Sequence, residues 1–272
     1  MADKSGNTGV RLTWLGQAGF LIEGGGFRLV IDPYLSDSLY EKYKDKKFPH
    51  SRMVEAPFSP EELTALNYVL CTHGHTDHMD PGTLPGLAAA NPGCGFICPQ
   101  AEREKAIERG VPVQMLAGMN TGGRFFDCND GCRDDGIGIT ALASAHEELA
   151  VDEQGQSLYL GYVIEIGGLT LYHSGDCVPY DGLAEQLESL EVDIALLPVN
   201  GRDEARRSNG VPGNFTLREA VELCDAAGIR ILIPHHFGMF AFNTEDPEKI
   251  EMVLSESNLG YKIPVIGNTM EL

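Results

Sequence analysis

The sequence is short of positive charge. Its 272 residues carry 20 Lys+Arg against 40 Asp+Glu, a formal net charge of −20 at pH 7. Such a deficit argues against a nucleic-acid partner held on a broad basic face, and against docking on an anionic membrane. Long apolar runs are missing too. No segment approaches the ~18 apolar residues of a membrane span, and the opening MADKSGNTGVRLTWLG has no apolar core for a signal peptide. A cytoplasmic setting is therefore expected. The 7 cysteines are an odd number without framework spacing, so no disulfide scaffold is expected. The pairs Cys94/Cys98 and Cys128/Cys132 are too loosely spaced for a zinc knuckle and read as structural thiols. There is no repeat, low-complexity tract or long linker, which leaves a single domain over residues 1–272 as the simplest organisation.

What is present is a globular composition, 43% hydrophobic and 22% charged. Apolar runs bounded by Gly, Pro or Asp predict strands at Val10–Leu15, Phe20–Glu23, Phe27–Ile31, Asn67–Thr72, Gly122–Phe126, Gly138–Ala143, Leu158–Ile166 and Thr170–His173. Helices are expected at Thr83–Ala90, interrupted by Pro85, and at Gln100–Arg109. The last third alternates: helix Leu183–Leu190, strand Ile194–Pro198, helix Leu217–Ala227, strand Ile231–Pro234, helix Pro247–Ser257, strand Lys262–Ile266. Strands first, then strand and helix in turn, point to an α/β protein of mixed sheets with helices packed outside. The aperiodic interval 34–60 reads as a long functional loop.

The densest chemistry lies in Thr72-His73-Gly74-His75-Thr76-Asp77-His78-Met79-Asp80. Three of the chain's 8 histidines fall within six residues beside an aspartate. At these frequencies HxHxDH would arise by chance in roughly one such chain in 2,000. Leaving a strand in extended backbone, His73 and His75 at i and i+2 would point to the same side. Asp77 and His78 follow after a turn. Imidazoles with a carboxylate suit Zn²⁺, Mn²⁺ or Fe²⁺. Three further segments place His or Asp just beyond an apolar run: Ala143-Ser144-Ala145-His146, Leu171-Tyr172-His173-Ser174-Gly175-Asp176 and Ile233-Pro234-His235-His236.

This ordered set, with Trp14-Leu15-Gly16 and Ile31-Asp32-Pro33 before it, resembles the metallo-β-lactamase fold, a four-layer αββα sandwich of two mixed sheets flanked by helices. The resemblance implies two divalent metal ions. His73, His75 and His146 would hold the first, Asp77, His78 and His236 the second, and Asp176 would bridge them. Between the adjacent His235 and His236, the family pattern of strand, Pro, one residue and then ligand selects His236. His235 and His173 would then support the ligands from behind. Aspartate rather than cysteine at the bridging position sets the chain apart from the antibiotic-degrading members, and retention of every histidine favours hydrolysis over oxygen chemistry. The stretch Trp14–Leu21 and the three later motifs look most like the L-ascorbate-6-phosphate lactonase group and its uncharacterised hydrolase relatives, a branch that also includes lipid phosphodiesterases. The implied activity is hydrolysis of a small lactone, with an anionic sugar-phosphate or sugar-acid lactone as one form, by a hydroxide shared between the ions. Asp77 would act as the catalytic carboxylate. Phosphodiester cleavage and noncatalytic metal binding are the alternatives.

Residues 42–52, KYKDKKFPHSR, hold five basic residues and one acid. With Arg202 and Arg206 from the segment after Pro198, this 36–60 loop is a candidate holder of a phosphate or carboxylate. The expected partner is a small-molecule substrate, without nucleic acid or membrane; a homo-oligomer is compatible with the sequence.

Overall fold

The computed structural model describes residues 9–128 and 136–272. The first half runs β1 (Arg11–Gly16), β2 (Gly19–Gly24), β3 (Phe27–Ile31), α1 (Ser38–Tyr43), β4 (Tyr68–Leu70), α2 (Leu84–Ala90), β5 (Gly95–Pro99), α3 (Arg103–Glu108) and β6 (Leu116–Met119). The second runs β7 (Arg124–Cys128), β8 (Gly136–Ala143), the two-residue β9 (Ala145–His146) and β10 (Glu148–Leu149), β11 (Leu160–Ile166), β12 (Leu169–His173), α4 (Leu183–Ser189), β13 (Ile194–Pro198), α5 (Glu204–Arg207), α6 (Leu217–Ala226), β14 (Ile231–His235), α7 (Pro247–Glu256), β15 (Gly260–Tyr261) and β16 (Thr269–Glu271). Two seven-stranded mixed sheets result, ordered β16-β1-β2-β3-β4-β5-β6 and β15-β14-β13-β12-β11-β8-β7.

The layering follows from the two-residue period of strands. On β1 to β3, Leu12, Trp14, Phe20, Ile22, Leu29 and Ile31 join the core shared with the second sheet. Their neighbours Leu15, Leu21 and Val30 face the opposite way, into a separate core with Leu84, Leu87 and Ala106 of α2 and α3. Both faces of the sheet are thus buried, which is why its strands read as continuous apolar runs rather than alternating ones. On the other sheet, α4, α6 and α7 add Leu187, Ala220, Cys224, Ile250 and Leu254 to the shared core. The architecture is the expected sandwich of two mixed sheets flanked by helices. Among the described residues no helix is long and apolar enough to cross a membrane.

Strand direction decides where the chemistry falls. β3 to β6 are mutually parallel, as are β12 to β15. β8 runs the same way as β12, because each is antiparallel to β11. The segments after β4, β8, β12 and β14 therefore all emerge at strand C-termini, where open α/β sheets gather ligand-binding groups.

Several expectations need correction. Pro85 does not interrupt α2, because it sits in the first turn, where a missing N–H costs nothing. Residues 262–266 form no strand. After Lys262 donates to the Leu232 carbonyl, Pro264 has no N–H to continue the ladder, and the last strand, β16, returns to the first sheet beside β1. The zinc-knuckle question cannot be posed for Cys132, which lies outside the described residues; Cys94, Cys98 and Cys128 are free thiols. The 34–60 interval is not structureless, since it contains α1.

That interval is fastened at both ends. The fully buried Asp80 carboxylate accepts from Ser36 N, Ser36 Oγ, Ser38 Oγ, Gly82 N and Thr83 Oγ1 at 2.5–3.2 Å, tying the approach to α1 to the start of α2. Further on, Met53 N donates to the Met239 carbonyl at 2.9 Å, and Phe48 stacks on Phe242 at 4.6 Å. Replacing Asp80 with Ala orphans several buried donors of charge-assisted bonds. The expected cost is about 3 kcal/mol or more, a fall of roughly 6–12 °C in Tm by calorimetry.

Candidate metal centre

His73, His75, Asp77 and His78 occupy the turn after β4. The convergence of His73 and His75 does not come from extended backbone: β4 ends at Leu70, and the chain curls so that His78 N and Met79 N both donate to the His75 carbonyl. The two rings meet edge to face, 4.6 Å apart. His146 follows β8 of the second sheet and lies on β9, which pairs with β10 in a small two-stranded sheet of its own, with Nε2 3.2 Å from His75 Nδ1. Asp176 follows β12 through Gly175, whose φ of 61° suits glycine and where a Cβ would lie 2.6 Å from Thr72 Oγ1. His236 follows β14 with φ 63°, and its N–H donates to the Gln17 carbonyl at 2.9 Å. That left-handed step lets adjacent residues diverge, His235 into the core and His236 into the site.

Two donor groups form, with ligand atoms in each lying within 4.8 Å of one another: His73, His75, His146 and Asp176 in one, Asp77, His78 and His236 in the other. Asp176 lies between them. Its Oδ2 is 3.8 Å from His146 Nε2, and its Oδ1 is 3.3 Å from His78 Nε2 and 3.2 Å from His236 Nε2. His73 Nε2, His78 Nε2 and Asp176 Oδ1 are buried and make no hydrogen bond. Unbonded buried donors and acceptors are costly, and their shared direction is what a cation would repay. The residues therefore fit divalent ions of the Zn²⁺, Mn²⁺ or Fe²⁺ class.

Electrostatics says the same. Burial, reinforced by neighbouring imidazoles, pushes His73 well below its ordinary value and brings His146 down to about 4. Burial opposes the charged form of His78 and His236 as well, but Asp176 and the other nearby carboxylates prevail, raising both and taking His236 to about 9. Asp77 and Asp176 are held well below the carboxylate range despite burial, by His78 and His236. The pocket floor demands positive charge, which an ion with neutral imidazoles would supply as well as protons do.

His173 and His235 join neither group. They stack on each other at 4.8 Å and 13°, both wholly buried, with Phe20 edge-on to each. His173 Nε2–H donates to the Ala18 carbonyl and its Nδ1 accepts from Gly175 N, while neither His235 nitrogen has a partner.

The structure does not bring Arg202 or Arg206 to the cavity above the floor. Arg202 forks onto both carboxylate oxygens of Glu219 at 2.6 and 2.7 Å, and Arg206 is taken up by Asp203, the Asn200 carbonyl and Asn243. Placing them near a strand end was sound; what decided against them was the supply of closer acids in an acidic chain.

Two supporting residues were not singled out from the sequence. Asp32, buried at φ 47°, accepts from Thr72 N and Thr72 Oγ1 and lies 2.7 Å from His78 Nδ1. A carboxylate there fixes the tautomer that leaves His78 Nε2 free to bind an ion. Gln17, buried at φ 51°, sets its amide nitrogen 2.9 Å from both Asp77 Oδ2 and His236 Nε2. Its own carbonyl is clamped by Trp14 Nε1 and His236 N. Both residues sit in quoted motifs, yet only the folded chain shows a left-handed residue aiming at the second donor group.

Comparison with known proteins agrees with this geometry. Residues 27–237 match the model of the beta-lactamase superfamily domain. The chain belongs to that superfamily. Among curated members it is similar to a UPF0173 metal-dependent hydrolase of Methanosarcina mazei, 29% identical over 97% of this chain and 99% of the relative. Solved structures of the same fold include Igni18, a metallo hydrolase from Ignicoccus hospitalis, with TM-score 0.69, 20% identity and coverage of 96% and 97% of the two chains. Another is an isothiocyanate hydrolase from Delia radicum gut bacteria, with TM-score 0.72, 18% identity and coverage of 96% and 98%. Superfamily membership accounts for the order of the motifs, though at such identities these structures speak to the fold alone.

Asp32→Asn tests the supporting network. An amide can donate to His78 Nδ1 and leave the proton on Nε2, so Zn²⁺ affinity should fall about 10–100-fold with the circular dichroism spectrum unchanged. Competition against a chromophoric chelator reads the affinity directly.

Proposed function

We propose that this protein is a metal-dependent hydrolase that opens a carboxylic ester bond, in the first instance a small lactone. The observation that carries the hydrolytic reading is the pair of convergent donor groups with unbonded buried nitrogens and oxygen on the floor of an open cavity of about 530 Å³. The metal-dependent hydrolase relatives support it, and the resemblance of the four motifs to the L-ascorbate-6-phosphate lactonase group supports a lactone over other esters. Fold alone would not, since one fold hosts many reactions.

His73, His75, His146 and Asp176, with Asp77, His78 and His236, would hold the ions. When bound, divalent ions polarise a carbonyl and make water acidic enough to react near neutral pH. The chain supplies the rest. Asp77 lines the cavity and stays ionised beside His78 and His236. Gln17 restrains its Oδ2, so Asp77 orients an attacking water and accepts its hydrogen bond rather than acting as a strong base. Arg109, which also lines the cavity, binds the His75 and Met79 carbonyls at 3.1 and 2.6 Å, holding the ligand turn in shape.

Metal-loaded protein assayed against lactones, thioesters and bis-p-nitrophenyl phosphate should turn over a lactone, and chelation should remove the activity. Turnover of the phosphodiester alone would reverse the ranking. Asp77→Ala should lower kcat/KM at least 10³-fold without lowering Tm; full turnover in the metal-loaded variant would remove Asp77 from its role.

A further inference from the structure

The cavity has a second charged wall that the donor groups do not use. From it we infer that the outer part of the cavity binds an anionic group of the substrate, a phosphate or carboxylate, through Lys42, Lys46 and Lys47; this rests on the reading of the cavity as a hydrolytic site.

Lys42 lies in the last turn of α1, and Lys46 follows in the turn beyond it, its N–H donating to the Tyr43 carbonyl at 2.8 Å. Both line the cavity, as does Lys47. Glu41 and Lys44 pair with each other at 2.6 Å and are absent from the lining, so the segment presents its lysines inward and its acid–base pair elsewhere. Among the described residues none of the three lysines has a carboxylate within ion-pair distance. Other basic side chains, Arg28, Arg202 and Arg230 among them, are instead taken up by nearby acids. Lys47 Nζ instead reaches across the opening to Asn209 Oδ1 at 2.9 Å, joining the lysine wall to the wall at 209–212.

The acids lining the cavity are Asp77 and Asp176, and both belong to the floor. A bound ion would offset their charge and leave the three lysines, with Arg109, to set the potential of the cavity. A bulk charge of −20 repels anions from the surface at large, so a cationic opening is where an anionic substrate finds a favourable path.

The wall is also held in place. Tyr43 and His50 stack at 4.5 Å, His50 meets Phe242 edge-on at 4.7 Å, and Phe48 lies flat on Phe242 at 4.6 Å. The lysine segment is thus mounted on the chain that follows His236, at a constant place relative to the donor groups. Lysine heads on such a mount behave as point charges with three donors, suited to an oxyanion without a demand for planarity.

The test is binding without turnover. Metal-loaded protein is titrated calorimetrically with glucose 6-phosphate, glucuronate and glucose, at low and at raised NaCl, for the wild type and for K42Q/K46Q/K47Q. At least one anionic sugar should bind at least tenfold more tightly than glucose, weaken with salt, and lose at least tenfold in the triple variant; which sugar does so separates phosphate from carboxylate recognition. Metal content and Tm verify the variant, with K42Q and K46Q singly as substitutes if the triple variant does not fold. Equal affinity in wild type and variant, or no preference for charge over glucose, overturns the inference. Failure of the hydrolase reading shows separately, as absent turnover across the ester panel while lysine-dependent binding persists.

Discussion

Two carboxylates buried against a cluster of imidazoles set the terms for the rest of this structure. Asp77 and Asp176 stay ionised only because positive charge stands within 4 Å, supplied by His78 and His236. Those two histidines need fixed orientations to do so. Asp32 and Thr72 fix the first, Gln17 and the left-handed backbone step fix the second, and both arrangements require strand ends that stop at defined places. Burial of the floor, the αL residues Gln17, Asp32 and His236, and the close approach of Gly175 to Thr72 are consequences of one need, to keep charge compensated away from water.

The part of the fold legible in the sequence is the part governed by local rules. Phe27–Ile31 and Ile194–Pro198 are read to the residue, and the hairpin turns between β2 and β3 and between β11 and β12 take the positive φ of Gly25, Gly26, Gly167 and Gly168. β5 and β6 were passed over because Gly95-Phe96-Ile97-Cys98-Pro99 and Leu116-Ala117-Gly118-Met119 are short and owe their pairing to neighbours distant in sequence. The return of β16 to β1 is another long-range pairing that no local pattern announces. A proline weighed as a breaker at position 85 is harmless, because its effect depends on which turn of the helix it occupies.

At the site the same division holds. Histidine and aspartate spacing drew attention to the four segments from which the fold gathers its donors, and the family resemblance picked seven residues from among them. The supporting groups are ordinary in type, and their importance lies in where a left-handed residue aims a side chain. Arg202 and Arg206 mark the opposite error. Arginine near a strand end invites a ligand, but in a chain this acidic a nearby glutamate or aspartate claims it first. Lys42, Lys46 and Lys47 escape that fate: they line a space whose acids, Asp77 and Asp176, are already committed to the floor.

The donor groups draw on both sheets. The turn after β4 belongs to one, and His146, Asp176 and His236 follow strands of the other. The centre is thus a joint rather than a decoration on one layer. Sliding one sheet past the other by the 3.3 Å of a single strand residue would pull the turn after β4 away from His146, Asp176 and His236 and break both donor groups. The two halves of the chain cannot drift apart in sequence independently, since each change that shifts a sheet must be answered across the seam. An ion seated there would work as a clasp, reporting at one point whether the whole sandwich has closed in register.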